Sequence, residues 1–96
     1  MFEVLKTREF QEWLVSLADE RAQALIAARV GRLEVGNPGN VKSVGDGVSE
    51  MKIDFGPGYR VYFTRTGRTV LLLLCGGDKS TQAKDIQRAK RIAASL

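Results

Sequence analysis

Six of the ten glycines in this 96-residue chain fall between residues 36 and 58, and they divide it into two regimes. A stretch interrupted so often cannot hold a long helix and must turn repeatedly. Upstream of it, apolar residues recur at helical spacing. Downstream, they alternate. That change of period implies helices first and a hairpin-rich sheet afterwards.

The upstream part opens with a short strand, Phe2–Leu5. Thr7 then offers an N-cap hydroxyl to a helix carrying Phe10, Trp13, Leu14 and Leu17. Asp19 caps a second helix, whose buried stripe is expected to be Ala22, Leu25, Ile26, Val30 and Leu33, with Arg21, Arg29 and Arg32 on the wet side. The two form an αα-hairpin, closed at its far end by Gly36 and Asn37-Pro38-Gly39.

The downstream part reads as four strands, Val41–Val44, Val48–Phe55, Tyr59–Thr66 and Val70–Cys75, separated by Gly45-Asp46-Gly47, Gly56-Pro57-Gly58 and Thr66-Gly67-Arg68. In the second of these strands Met51, Ile53 and Phe55 face one way, and Glu50, Lys52 and Asp54 the other. In the third, Tyr59, Val61 and Phe63 oppose Arg60, Tyr62 and Thr64. Val70–Cys75 is apolar without alternation, so it is expected to be the central strand, covered on both sides. A terminal helix from Lys79 or Ser80 to Ala94 presents Ala83, Ile86, Ala89, Ala93 and Leu96 near one face. The order β-α-α-β-β-β-β-α implies one α+β domain over residues 1–96, a mainly antiparallel sheet packed against helices.

Composition narrows the chemistry. There are no histidines and one cysteine, so the commonest general base and a structural zinc site are both excluded. The lone Cys75 has no histidine beside it and reads as a core thiol. The start MFEVLKTREF has no apolar signal core, and no run approaches the roughly 18 residues of a membrane span, so a cytoplasmic location is expected. Residues 1–41 carry five basic and six acidic side chains, whereas residues 42–96 carry ten and five. The second half is therefore the one suited to an acidic partner, nucleic acid being the obvious class.

Alternation gathers Lys52, Asp54, Arg60 and Tyr62 on one sheet face. Arg offers a bidentate fork to phosphate, Lys a point charge, and Tyr a stacking ring or a proton. The same four residues also suit the solvated outer face of a half-buried sheet, in which Arg60 is exposed and folding needs it little. Gly76-Gly77-Asp78-Lys79-Ser80 lies before the last helix, where backbone N–H groups can approach a phosphate. It lacks P-loop spacing, and a plain strand–helix turn capped by Asp78 or Ser80 explains it as well.

Two longer runs go further. Gly45-Asp46-Gly47-Val48-Ser49-Glu50-Met51-Lys52-Ile53-Asp54-Phe55-Gly56-Pro57-Gly58-Tyr59-Arg60-Val61-Tyr62-Phe63 resembles the small RelE/ParE toxins of bacterial toxin–antitoxin modules. Leu73-Leu74-Cys75-Gly76-Gly77-Asp78-Lys79-Ser80-Thr81-Gln82 is similar to the C-terminal motif of their HigB-like branch, the addiction-module killer proteins. The resemblance implies a curved antiparallel sheet flanked by the helical hairpin and the C-terminal helix. It implies a metal-independent, cofactor-free endonuclease that cuts translated mRNA on the ribosome. Its other branch acts instead by binding DNA gyrase. A non-catalytic nucleic-acid-binding domain is a third possibility. By position, Arg60, Lys52, Lys79 and Tyr62 take the catalytic roles, and Lys42, Asp54, Lys79 and Gln82 contact RNA. The implied partners are a helix-turn-helix antitoxin, the ribosome and mRNA, with operator DNA reached only through the antitoxin and no membrane. Two features depart from RelE: Asp54 is acidic where its members tend to be basic, and the C-terminal helix has no tyrosine.

Overall fold

Thr7 and Asp19 begin the helices as their side chains require. Thr7 Oγ1 accepts from Phe10 N at 3.0 Å, and Asp19 Oδ1 accepts from Arg21 N and Ala22 N. A computed structural model describes residues 1–96. The elements are β1 (Glu3–Lys6), α1 (Arg8–Ser16), α2 (Glu20–Glu34), β2 (Val41–Gly45), β3 (Val48–Ile53), β4 (Tyr59–Thr66) and β5 (Val70–Gly77). A single 3-10 turn, Lys79–Thr81, leads into α3 (Gln82–Ala94). This is the α+β order that the sequence implies.

The five strands form one sheet in the order β1-β5-β4-β3-β2. Only β1 and β5 run parallel; the other pairs are antiparallel. The centre is therefore β4. The sequence expectation that Val70–Cys75 would be central is corrected: β5 lies second from the edge, flanked by the parallel β1. It is still enclosed on both faces, which is what its unbroken apolar run reflects. Leu71 and Leu73 enter one core, and Leu74 and Cys75 the other. A bulge opposite Tyr62 and Phe63 lets Leu74 and Cys75 turn to the same side.

Helices cover both faces. α1 lies on β5, while α2 lies against β1 and β3. Their shared core joins Phe10, Ala22, Ile26, Val30 and Leu33 to Met51, Ile53, Tyr59, Val61 and Phe63. Gln23 ties the helices together by donating to the carbonyls of Leu14 and Leu17. Leu25 drops out of the expected stripe and stands 39% exposed, because Ala22, Ile26, Val30 and Leu33 alone complete the contact. On the other face, α3 lays Ala89 against Val48, Tyr62, Leu74 and Cys75, with Ile86, Ile92 and Ala93 around them. Ala83 and Leu96 lie outside that contact.

Two further expectations change. β3 stops at Ile53 rather than Phe55, because Phe55 N–H bonds back to Ile53 O and bends the chain into Gly56-Pro57-Gly58. Arg29 is not on the wet side. It reaches from α2 to Lys52 O and Pro38 O, both at 3.1 Å. No helix is long and apolar enough to cross a membrane.

Candidate functional site

The face expected to be solvated is instead the layer beneath α3. Glu50 and Tyr62 are partners across β3 and β4, and so are Lys52 and Arg60. Glu50 is only 2% exposed and Arg60 only 6%. Burial of such groups costs several kcal/mol unless partners replace water, so their partners define the site (roughly 1–3 kcal/mol for a polar group, more for a charge).

Glu50 is the hub of one cluster. Its Oε2 accepts from Tyr62 Oη at 3.1 Å and from Gln82 Nε2 at 2.8 Å. Its Oε1 lies 3.8 Å from Lys42 Nζ. Three of the residues picked from sequence, Lys42, Tyr62 and Gln82, are thus brought together by a fourth that was not. Burial is the main cause that pushes the Tyr62 phenol above its ordinary range, with the charge and hydrogen bond of Glu50 adding to it. Tyr62 is fully enclosed, so the expectation that it stacks on a base is corrected: its ring packs in the α3 core and its proton is held by Glu50.

The second cluster lies at the Gly56-Pro57-Gly58 end of the sheet. Gly58 adopts a φ of 78°, where a side chain would be strained, and a Cβ there would stand 2.8 Å from Arg60 Nη1 and 3.6 Å from Lys79 Cβ. Arg60 Nη1 donates to Gly58 O at 2.6 Å, and Lys79 N–H donates to Pro57 O at 3.3 Å. The turn therefore draws Arg60 and Lys79 together, and strand pairing sets Lys52 beside them. The ion pairs of the chain are Arg8–Glu12, Lys42–Glu50 and Lys90–Asp46, so none of these three cations has a carboxylate partner. Arg60 Nε is buried with no hydrogen-bond partner at all. The alternation implies an exposed Arg60 that folding needs little; instead it is buried, and it donates to Gly58 O in the turn.

Asp54 is not gathered in; it is exposed in the bend after β3. Gly76 and Gly77 answer to packing rather than to a phosphate. A Cβ on Gly76 would overlap the Trp13 ring, and one on Gly77 would overlap the Asp85 carboxylate. Asp78 caps the turn by accepting from Ser80 N at 2.8 Å. Cys75 is enclosed, and burial pushes its thiol up to about 11, which suits a core residue rather than a nucleophile. Glu50 was missed because a carboxylate in an alternating strand reads as solvent-facing. Its position directly opposite Lys42 and Tyr62 was the available signal.

The arrangement can therefore attract an anion at one sheet end, with Lys52 and Lys79 near the surface above a buried guanidinium. Such an unpaired charge in a low-dielectric layer acts more strongly than one in water.

Comparison with other proteins adds the lineage. A family described as phage derived protein Gp49-like matches residues 12–95. An uncharacterized protein of Haemophilus influenzae is 50% identical over 94 residues, which cover 98% of this chain and 95% of that protein. No solved structure matches.

Proposed function

Since the chain belongs to the phage-derived Gp49-like family, whose members are toxin-like, we propose that it is the toxin of a toxin–antitoxin module that cleaves translated mRNA on the ribosome. The observation that carries this reading is the buried Arg60 guanidinium, without a carboxylate and with Lys52 and Lys79 beside it. A buried charge left unpaired is costly to the fold, and an incoming phosphodiester would supply the missing negative charge.

In the proposed reaction the substrate's own 2′-oxygen forms a bond to phosphorus and the bond to the 5′-oxygen breaks, leaving a cyclic phosphate. The 2′-hydroxyl proton passes to water, and the departing 5′-oxygen takes a proton from the Lys79 ammonium, which solvent replenishes. Arg60 stabilises charge growing on the phosphoryl oxygens. Lys52 holds the phosphate in place. Tyr62 has no part in contact with RNA; with Glu50 it sets the layer on which these residues stand.

Enclosure of Tyr62 removes the only phenol of the candidate site and so favours a second reading, a toxin that binds a protein target such as DNA gyrase. Induced expression with mapping of mRNA 5′ ends separates the two. Cleavage gives new ends inside translated regions, suppressed by co-expression of a neighbouring antitoxin. Intact mRNA with accumulating DNA breaks would support the second reading and overturn the first.

A further inference from the structure

We infer that the outward face of α3 is a docking surface for the phosphate backbone of helical RNA, separate from the Arg60 cluster. The inference rests on the proposed function for the identity of the polyanion, because a ribosome-bound toxin meets structured RNA around its substrate. The surface itself rests on the helix. At 3.6 residues per turn, Lys84, Arg88 and Arg91 fall within about 60° of the α3 circumference and span about 10 Å along it. They lie opposite the face that carries Gln82, Ile86, Ala89 and Ala93 to the sheet.

All three are exposed, and none forms an ion pair within the chain. Their neighbours on that face, Gln87 and Ser95, are uncharged. The one acid of α3, Asp85, points inward and accepts from Thr81 Oγ1 at 2.5 Å. Among the other cations, Arg8 pairs with Glu12, Lys42 with Glu50 and Lys90 with Asp46, and Arg29 donates to two carbonyls. The α3 stripe is charge held in reserve.

Its composition selects the partner. There is no aromatic side chain on α3 for bases to stack on, so single-strand recognition has no platform. Its apolar face is consumed by the sheet, so it cannot lie in a membrane interface. A row of three cations about one turn apart suits the regularly spaced phosphates of a helix, read by shape rather than sequence.

The test is co-sedimentation with vacant ribosomes over a range of salt, which needs no cleavage. It compares the wild-type protein with Lys84→Gln/Arg88→Gln/Arg91→Gln and with Arg88→Lys/Arg91→Lys. The neutral variant is expected to lose about tenfold or more in affinity at moderate salt and to lower the slope of log affinity against log salt by about 2–3, near 0.9 per phosphate contact. The charge-keeping variant should retain both, since a point charge serves a backbone contact. Wild-type affinity and slope in the neutral variant would overturn the inference. So would a DNA duplex that displaces the protein from ribosomes as well as an RNA duplex does at equal phosphate. A wild-type protein that binds through the stripe yet leaves mRNA intact would count against the proposed function alone.

Discussion

Tyr62 and Glu50 face each other across β4 and β3, and the Tyr62 hydroxyl donates to Glu50 Oε2 at 3.1 Å beneath α3. The bond lies on the polar side of the sheet, which α3 encloses around Tyr62. It follows that the residues nearest to the candidate chemistry also hold the fold, and that loss of function in a variant must be separated from loss of structure.

Replacing Tyr62 with Phe should keep the ring's packing but leave Glu50 short of one donor. The expected loss is roughly 1.5–3 kcal/mol, the range for a hydrogen bond to a charged group. Glu50→Ala should cost more, about 2–4 kcal/mol, since it strands the donors of both Tyr62 and Gln82 beneath α3, while the exposed Lys42 keeps its water. Urea denaturation measures both. Changes under about 0.5 kcal/mol in the two variants, the usual size for exposed positions, would mean that the layer is open to water.

Alkali should weaken the fold in two stages. The folded chain holds the Cys75 thiol protonated up to about 11, whereas an unhindered thiol gives up its proton near 9.0. Between those values the unfolded chain binds fewer protons, so stability falls as pH rises, after being fully present below 9. The loss is on the order of 2–3 kcal/mol. Tyr62, whose raised phenol would ordinarily titrate near 10.0, adds a further loss in the same direction above that value. Cys75→Ala should remove the first stage and spare the second. Equal slopes of stability against pH in both proteins would contradict the enclosure of the thiol.

Two glycines should respond in opposite directions to alanine. Gly31 lies within α2 with nothing within 4 Å of a Cβ, so Gly31→Ala should stabilise by about 0.5–1 kcal/mol through helix propensity. At Gly77 the same change drives a methyl into Asp85, and overpacking should destabilise by about 1–3 kcal/mol. Thermal unfolding of the pair decides it. A neutral Gly77→Ala would mean that α3 can slide on β5.

The element order, both helix caps and the turns were legible because they are local: Thr7, Asp19 and the glycine clusters each act over a few residues. Strand order was less so. An apolar run such as Val70–Cys75 reveals burial on two faces but not whether its neighbour is a central strand or the parallel edge strand β1. The α3 stripe was legible, since Ile86, Ala89 and Ala93 meet the sheet as their spacing implies, but which face of the sheet it covers was not. Glu50, Arg60 and Tyr62 therefore looked like a wet face. Alternation assigns residues to a side of a strand, but what covers that side depends on contacts made from far along the chain. For the candidate site, spacing brought Lys52 and Arg60 together correctly, while Asp54 fell away at the bend that ends β3.

The central claim is that Arg60 serves an incoming phosphodiester as well as its own turn. Arg60→Lys is the decisive variant, because it keeps the charge and stem while losing the planar fork and the orphaned Nε. Cleavage of mRNA on purified programmed ribosomes should be measured beside urea stability and circular dichroism for both proteins. The expected result is a folded Arg60→Lys protein that cuts roughly 10²–10³ times more slowly than wild type, as for loss of a preorganised donor. A folded Arg60→Lys protein that cuts at the wild-type rate would contradict the role assigned to Arg60.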